Sequence, residues 1–266
     1  MPIHIDSLDD PRLAPYRNLK DRDLTASGDR FIAEGRYVVQ RLLASPLTVE
    51  SVFVAARRLG EIQPLVGDRA PLYVVPDERV REIVGFKFHS GVLACGVRPP
   101  SLSVDDVMAA AGEQATLMVL PEIANTENLG SMVRIAAAFG CSAILLGERS
   151  CDPFYRQSVR VSMGTVFKLP IIRSPDLRAD LERLRQRWGV RHMATVLDDR
   201  AQPLAMYRRP PRLAVLFGNE AQGIPPDILS LCDDHVTIPM KLGTDSLNVA
   251  VSAGVFLFEL TKQMPR

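Results

Sequence analysis

The 266-residue sequence lacks an excess of either charge: 32 Lys and Arg stand against 31 Asp and Glu. Bulk charge therefore announces no polyanionic partner, and any nucleic-acid site has to be a local patch. Cysteine is scarce. Cys95, Cys141, Cys151 and Cys232 form no CxxC pair, which excludes a zinc ribbon or a disulfide framework and fits reduced thiols. No apolar run reaches bilayer length, since the most apolar stretch, residues 249–260, is too short to span a membrane. The opening Met1-Pro-Ile-His-Ile-Asp6 lacks a basic region followed by an apolar run, so a cytoplasmic location is expected. His4, His89, His192 and His235 are scattered, with no HExxH and no Ser-His-Asp order. GxGxxG is missing too. Gly218-Asn-Glu-Ala-Gln-Gly223 has the glycine spacing of a Walker A loop, but Ile224-Pro225 stand where lysine and a hydroxyl residue belong, which excludes an NTPase.

What is present is an alternation of apolar runs. Residues 11–30 interleave Arg12, Arg17, Lys20, Arg22 and Arg30 with Asp21, Asp23 and Asp29, the pattern of a solvated helix. Strands are predicted at 31–35, 49–55, 72–75 and 91–97. Helical spacing of Val38, Val39, Leu42 and Leu43, with a short helix at 80–84, completes a small layered α/β domain over residues 1–98. Residues 99–106, holding two prolines and two serines, predict a linker. Across 107–266, strands predicted at 115–120, 142–146, 167–172, 193–196 and 213–217 are followed by one at 236–238, which Pro239 ends. They alternate with helices from residue 129, over 177–188 and over 249–260. This spacing predicts a mostly parallel sheet with helices on both faces.

Three polar stretches stand out. Asn128 is expected to cap the helix whose apolar stripe is Leu129, Met132, Val133, Ala136 and Phe139. Arg134 lies off that stripe, on a helix whose first amides suit an anion such as a nucleic-acid phosphate. Glu220, in the glycine-bounded loop after a buried strand, stands where ligands collect in open α/β sheets, although a solvated carboxylate is the commoner case for a single loop glutamate. Gly243, Thr244, Asp245 and Ser246 precede a helix expected to begin at Leu247 or Asn248.

Taken in order, Asn125-x-x-Asn128-x-Gly130-x-x-x-Arg134, then Leu216-Phe-Gly-Asn-Glu220-Ala-Gln-Gly223, then Ile238-Pro-Met240 through Ser246-Leu-Asn248-Val249 closely resemble the motifs of the SpoU/TrmH branch of the SPOUT methyltransferases. Phe31-Ile-Ala-Glu-Gly35-Arg36 and the helix after it are similar to the L30e-like RNA-binding domain that precedes the catalytic domain in many of these enzymes. The resemblance implies methyl transfer from S-adenosylmethionine to a ribose 2′-hydroxyl of structured rRNA or tRNA, with S-adenosylhomocysteine as product and no metal. It implies a deep trefoil knot, a rarity among folds, and a homodimer formed through the C-terminal knot helices. Carried over residue by residue, the cofactor loops are Leu216, Phe217 and Gly218, Ile238, Pro239 and Met240, and Ser246, Leu247 and Asn248. Asn128, Arg134, Glu220, Ser246 and Asn248 would serve the reaction. Arg134 would hold the phosphate beside the target ribose, Asn128 and Ser246 would orient Arg134 or the RNA, and that phosphate or Glu220 would help accept the proton. Arg17, Lys20, Arg22 and Arg36 are the candidate RNA contacts of the first domain. Ala250 departs from the family, which more often has serine there. The alternative is a non-catalytic RNA-binding or assembly protein that keeps the knotted fold.

Overall fold

Ala115-Thr-Leu-Met-Val-Leu120 is buried at all six positions, as expected of a strand covered on both faces. It is the third strand from one edge of a seven-stranded sheet. The computed structural model describes residues 1–19, 28–86, 88–242 and 246–263. They fall into two compact units, Met1–Pro100 with Asp152–Lys168, and Ser101–Cys151 with Leu169–Arg266. In chain order the elements run β1 (Ile3–His4), β2 (Arg30–Glu34), α1 (Arg36–Leu43), β3 (Val49–Ala55), α2 (Leu59–Val66), β4 (Leu72–Val75), α3 (Val80–Val84) and β5 (Val92–Val97). There follow α4 (Val104–Ala110), β6 (Ala115–Leu120), α5 (Thr126–Ala138), β7 (Ala143–Leu146), α6 (Arg156–Val161), β8 (Ile171–Arg173) and α7 (Leu177–Trp188). Then come β9 (Arg191–Thr195), β10 (Gln202–Pro203), β11 (Arg212–Leu216), α8 (Pro226–Leu229), β12 (Asp234–Thr237) and α9 (Val249–Thr261).

The first unit is a mixed five-stranded sheet, ordered β1-β4-β3-β5-β2. Tyr16 packs on Phe53 at a ring separation of 5.3 Å, within a core that includes Leu13, Ile32, Ile83 and Leu93. Phe31 of β2 packs instead on Phe154 at 5.0 Å and on Phe167 at 5.5 Å. These rings explain why Asp152–Lys168 belongs to this unit although it lies far along the chain. They also explain why the strand predicted over 167–172 begins only at Ile171: Phe167 is committed to Phe31 in a short 3-10 turn. The segment is further tied by Arg98, which donates from both terminal nitrogens to Asp152 at 2.7 and 3.2 Å.

The stretch read as a linker is shorter in the structure. Ser103 and Asp106 form a reciprocal capping box, so residues 104–106 are the first turn of α4.

In the second unit, β10-β12-β9-β11-β6-β7-β8 are all parallel. Their carboxyl ends therefore share one edge of the sheet. α5 ends as the sequence suggested: Gly140 takes φ +69°, and the amides of Gly140 and Cys141 return to the carbonyls of Ala137 and Ala136. α5 and α9 pack together, with Phe139 meeting Phe258 edge-on at 6.3 Å. Among the described residues no helix is long and apolar enough to cross a membrane.

Candidate functional site

At the carboxyl edge of the parallel sheet, β11 passes directly into Phe217 and Gly218, and β12 passes into Ile238, Pro239 and Met240. β9 lies between those two strands, so the two loops leave the sheet about 10 Å apart. Leu216 and Phe217 are buried, and the Leu216 carbonyl accepts the Thr195 hydroxyl at 2.9 Å. Gly218 has to be glycine, because a Cβ there would lie 2.4 Å from the carbonyl carbon of Gly223. The close approach comes from a tight loop. Asn219 and Gly223 exchange backbone hydrogen bonds at 2.9 Å, and Asn219 Oδ1 accepts the amides of Ala221 and Gln222. Glu220 is thereby held at the loop tip, exposed.

Asn125, and not Asn128, caps α5: its Oδ1 accepts the amides of Glu127 at 2.8 Å and Asn128 at 3.1 Å. The helix starts at Thr126, which puts Asn128 in its first turn and frees its side chain for longer-range contacts. Those contacts are unambiguous in direction. Asn248 caps α9 by accepting the amides of Ala250 at 2.9 Å and Val251 at 3.4 Å on Oδ1. Its Nδ2 is left to donate, and it does so to Asn128 Oδ1 at 3.0 Å. Asn128 Nδ2 must then face the other way, and it donates to Glu220 Oε1. Three loops are joined by a chain in which each amide orientation fixes the next. The cap uses the backbone amide of residue 250, so alanine at that position costs this cap nothing.

Arg134 stands six residues beyond Asn128, about 9 Å further along the helix axis. It is exposed and has no hydrogen bond or ion pair among the described residues. Of the two roles expected of Asn128, orienting Arg134 or the RNA, the first is not seen, because both functions of its amide are taken by Glu220 and Asn248. Ser246 is exposed and makes no hydrogen bond among the described residues, so it does not orient Arg134 either. Leu247 is partly exposed beside it.

The candidate contacts of the first unit fare differently. Arg17 turns inward and donates to the carbonyls of Leu8 and Asp10. Arg36 is paired with Glu61 at 2.7 Å. Lys20 and Arg22 lie outside the described residues.

Perturbed titrating groups gather elsewhere. His192, at the start of β9, is held below its ordinary pKa by burial, and Asp234, at the start of β12, is held below the usual carboxylate range by Arg191. Both begin their strands and so lie at the amino edge, away from the loops just described. Burial pushes the Cys95, Cys141 and Cys232 thiols up to about 12, which leaves them unreactive.

The model of the SpoU rRNA Methylase family matches residues 115–258, more than half of the chain. The chain belongs to that family. Among curated relatives, an uncharacterised tRNA/rRNA methyltransferase of Mycobacterium tuberculosis is 39% identical over 263 residues, covering 96% of this chain and 90% of that one. The 23S rRNA (guanosine-2′-O-)-methyltransferase RlmB of Acinetobacter baylyi is 32% identical over 189 residues, covering 70% of this chain and 76% of its own. A crystal structure of an S-adenosylmethionine-bound rRNA methyltransferase from Sinorhizobium meliloti superposes with a TM-score of 0.80 over 99% of both chains. At 23% identity that likeness speaks for the fold. The SpoU match spans all three motifs, from Asn125 through Glu220 to Asn248. The contacts Asn128–Glu220 and Asn248–Asn128 join one residue from each motif, a partnership that the motifs do not spell out.

Proposed function

We propose that the protein transfers a methyl group from S-adenosylmethionine to a ribose 2′-hydroxyl of RNA, with ribosomal RNA as the preferred substrate class. The carrying observation is the directed chain Asn248–Asn128–Glu220 at the carboxyl edge of the parallel sheet, built from the motif residues of a SpoU methylase. The three loop stretches 216–218, 238–240 and 246–248 contain no charged side chain, which suits a cofactor that carries a cationic sulfonium and a neutral adenine. Bound there, S-adenosylmethionine supplies a methyl group whose C–S bond breaks as the ribose oxygen bonds to it, leaving S-adenosylhomocysteine and one proton.

Glu220, hydrogen-bonded by Asn128 at the tip of the Asn219 turn, or the RNA phosphate beside the ribose, accepts that proton. Arg134, unpaired, takes the phosphate beside the target ribose. Its planar guanidinium is suited to that contact, while its permanent charge makes it a poor base. Positioning of the ribose supplies much of the acceleration. Residues 1–98 act as an L30e-like domain that selects the RNA, where sequence-specific recognition favours unpaired nucleotides. The C-terminal stretch is threaded as a trefoil knot. The exposed apolar stripe Val251, Val255 and Phe258, spaced at four and three residues on α9, supports a homodimer formed through that helix. On this reading the protein works in the cytoplasm.

The test is transfer of radiolabelled methyl from S-adenosylmethionine to protein-free ribosomal RNA and, in parallel, to bulk transfer RNA, followed by mapping of alkali-resistant linkages. Incorporation at a 2′-oxygen of ribosomal RNA is the expected result. Cofactor binding with no RNA methylation would favour a non-catalytic RNA-binding protein, and methylation at a base would overturn the reaction type.

A further inference from the structure

Within the first unit, a groove of about 610 Å³ runs between the start of α1 and α6. That is roomy enough for one small organic group. Its floor is Glu34, the last residue of β2, whose side chain is only 9% exposed. A carboxylate so placed needs cations, and the sequence supplies two from a segment more than a hundred residues away. Arg156 bonds to Glu34 directly and lays its guanidinium over the Phe86 ring at 4.6 Å. Arg160, one turn further along α6, is 3.9 Å from Glu34 and half exposed. Arg156 is thus consumed by the wall, while Arg160 remains a surplus charge at the mouth. The other wall carries Tyr37, which is 62% exposed although a tyrosine gains from burial. The Arg36 guanidinium sits 5.8 Å from the centre of that ring.

A largely exposed aromatic ring, a loosely held arginine and net positive charge in one groove are the features of a site for a planar base with its phosphate. We propose that this groove takes one unpaired nucleotide of the RNA, the base stacked on Tyr37 and the phosphate held by Arg160. The proposal rests on the reading of the chain as an RNA methyltransferase. A paired base shows a protein only its edges, so a stacking surface selects a nucleotide that has left its helix. Glu34 acts as a positioning residue: it pins Arg156 and holds Arg160 near the mouth. The role is independent of Arg17, which the fold spends on its own carbonyls, and it adds to the surface residues 152–168, which the sequence alone placed with the other domain.

Filter binding of the full chain to protein-free ribosomal RNA over a range of salt tests the idea. Replacing the stacking ring by Tyr37→Ala is expected to weaken binding between about 5- and 150-fold, whereas Tyr37→Phe stays within about twofold. Arg160→Ala is expected to flatten the slope of log affinity against log salt by about 0.7, the loss of one single-stranded phosphate contact, and Arg160→Lys to restore it. In methyl transfer, both alanine variants should raise the KM for RNA with little change in kcat. If Tyr37→Ala and Arg160→Ala bind as wild type with an unchanged slope, while wild type methylates the RNA, the groove is refuted and the proposed function stands. If wild type neither binds nor methylates RNA, the functional reading itself fails and the groove falls with it.

Discussion

The candidate site of the second unit and the arginine-bearing surface of the first hold their polar residues in opposite ways. In the second, Asn248, Asn128 and Glu220 form a run of directional hydrogen bonds in which the helix cap of α9 dictates every later orientation. In the first, the polar surface is carried by arginines paired with carboxylates: Arg36 with Glu61, Arg30 with Glu50, Arg57 with Asp77. An amide network is directional, because each amide oxygen only accepts and each amide nitrogen only donates. Exposed ion pairs contribute about 0–1 kcal/mol each and re-form with other partners readily. Those arginines are thus suited to exchanging their carboxylates for RNA phosphates, and the amide chain to holding a reacting group still.

The largest test of that contrast is Glu220→Gln. The amide oxygen still accepts from Asn128, so the geometry survives while the proton acceptor is lost. Methyl transfer is expected to fall by about 100-fold or more, with cofactor affinity unchanged. A single-turnover rate within twofold of wild type would assign the proton to the RNA phosphate instead, leaving Glu220 as a positioning group.

Next in size is Arg134→Ala, expected to lower kcat/KM for RNA by about 10- to 100-fold, the loss of one charged hydrogen-bonded contact. Arg134→Lys recovers only part of this, because a point charge cannot replace a planar fork. Full activity with unchanged RNA affinity in Arg134→Ala would remove the residue from the site.

Asn248→Asp separates the two jobs of one side chain. Aspartate caps a helix as well as asparagine does, so the melting temperature should hold, whereas Asn248→Ala should cost about 1 kcal/mol. Aspartate has no donor for Asn128, however. We expect methyl transfer to fall by about tenfold in Asn248→Asp through a misoriented Asn128, a loss that a purely structural cap would not produce.

Much of this was legible from residue patterns, and the failures share one cause. The run of residues 115–120, the stripe on α5 and the Gly140 stop are local, so periodicity and turn chemistry revealed them. The capping pair Ser103 and Asp106 was equally local, but the prolines just before it drew the linker too far. What could not be read were contacts between distant residues. Asn128 and Glu220 are 92 positions apart, and Glu34 and Arg156 are 122 apart. The residue-wise resemblance put the first pair in one site without saying that they touch. It offered nothing about residues 152–168, whose place is decided by Phe31. For the same reason, removing residues 1–98 would strip Phe154 and Phe167 of their partner, so point substitutions are the cleaner probe of RNA selection.

The smallest expected effect concerns the amino edge of the parallel sheet. His192 is fully buried, its Nδ1 3.3 Å from the Leu231 carbonyl oxygen and its Nε2 without a partner among the described residues. Burial holds its pKa below the ordinary 6.5. The folded protein therefore keeps the ring neutral at pH values where the unfolded chain binds a proton near 6.5. Because the unfolded state then holds more protons, this contribution is intact above about pH 6.5 and stability declines as the pH falls below it, until the lowered folded value is reached. His192→Leu removes the titration and fills the site with an apolar side chain of similar bulk. Urea midpoints at pH 7.5 and 5.5 should converge in the variant and separate in wild type. An equal separation in both would mean that other groups carry the pH dependence. Methyl transfer at neutral pH should be untouched by the substitution, since the reacting groups lie at the opposite edge of the same strands.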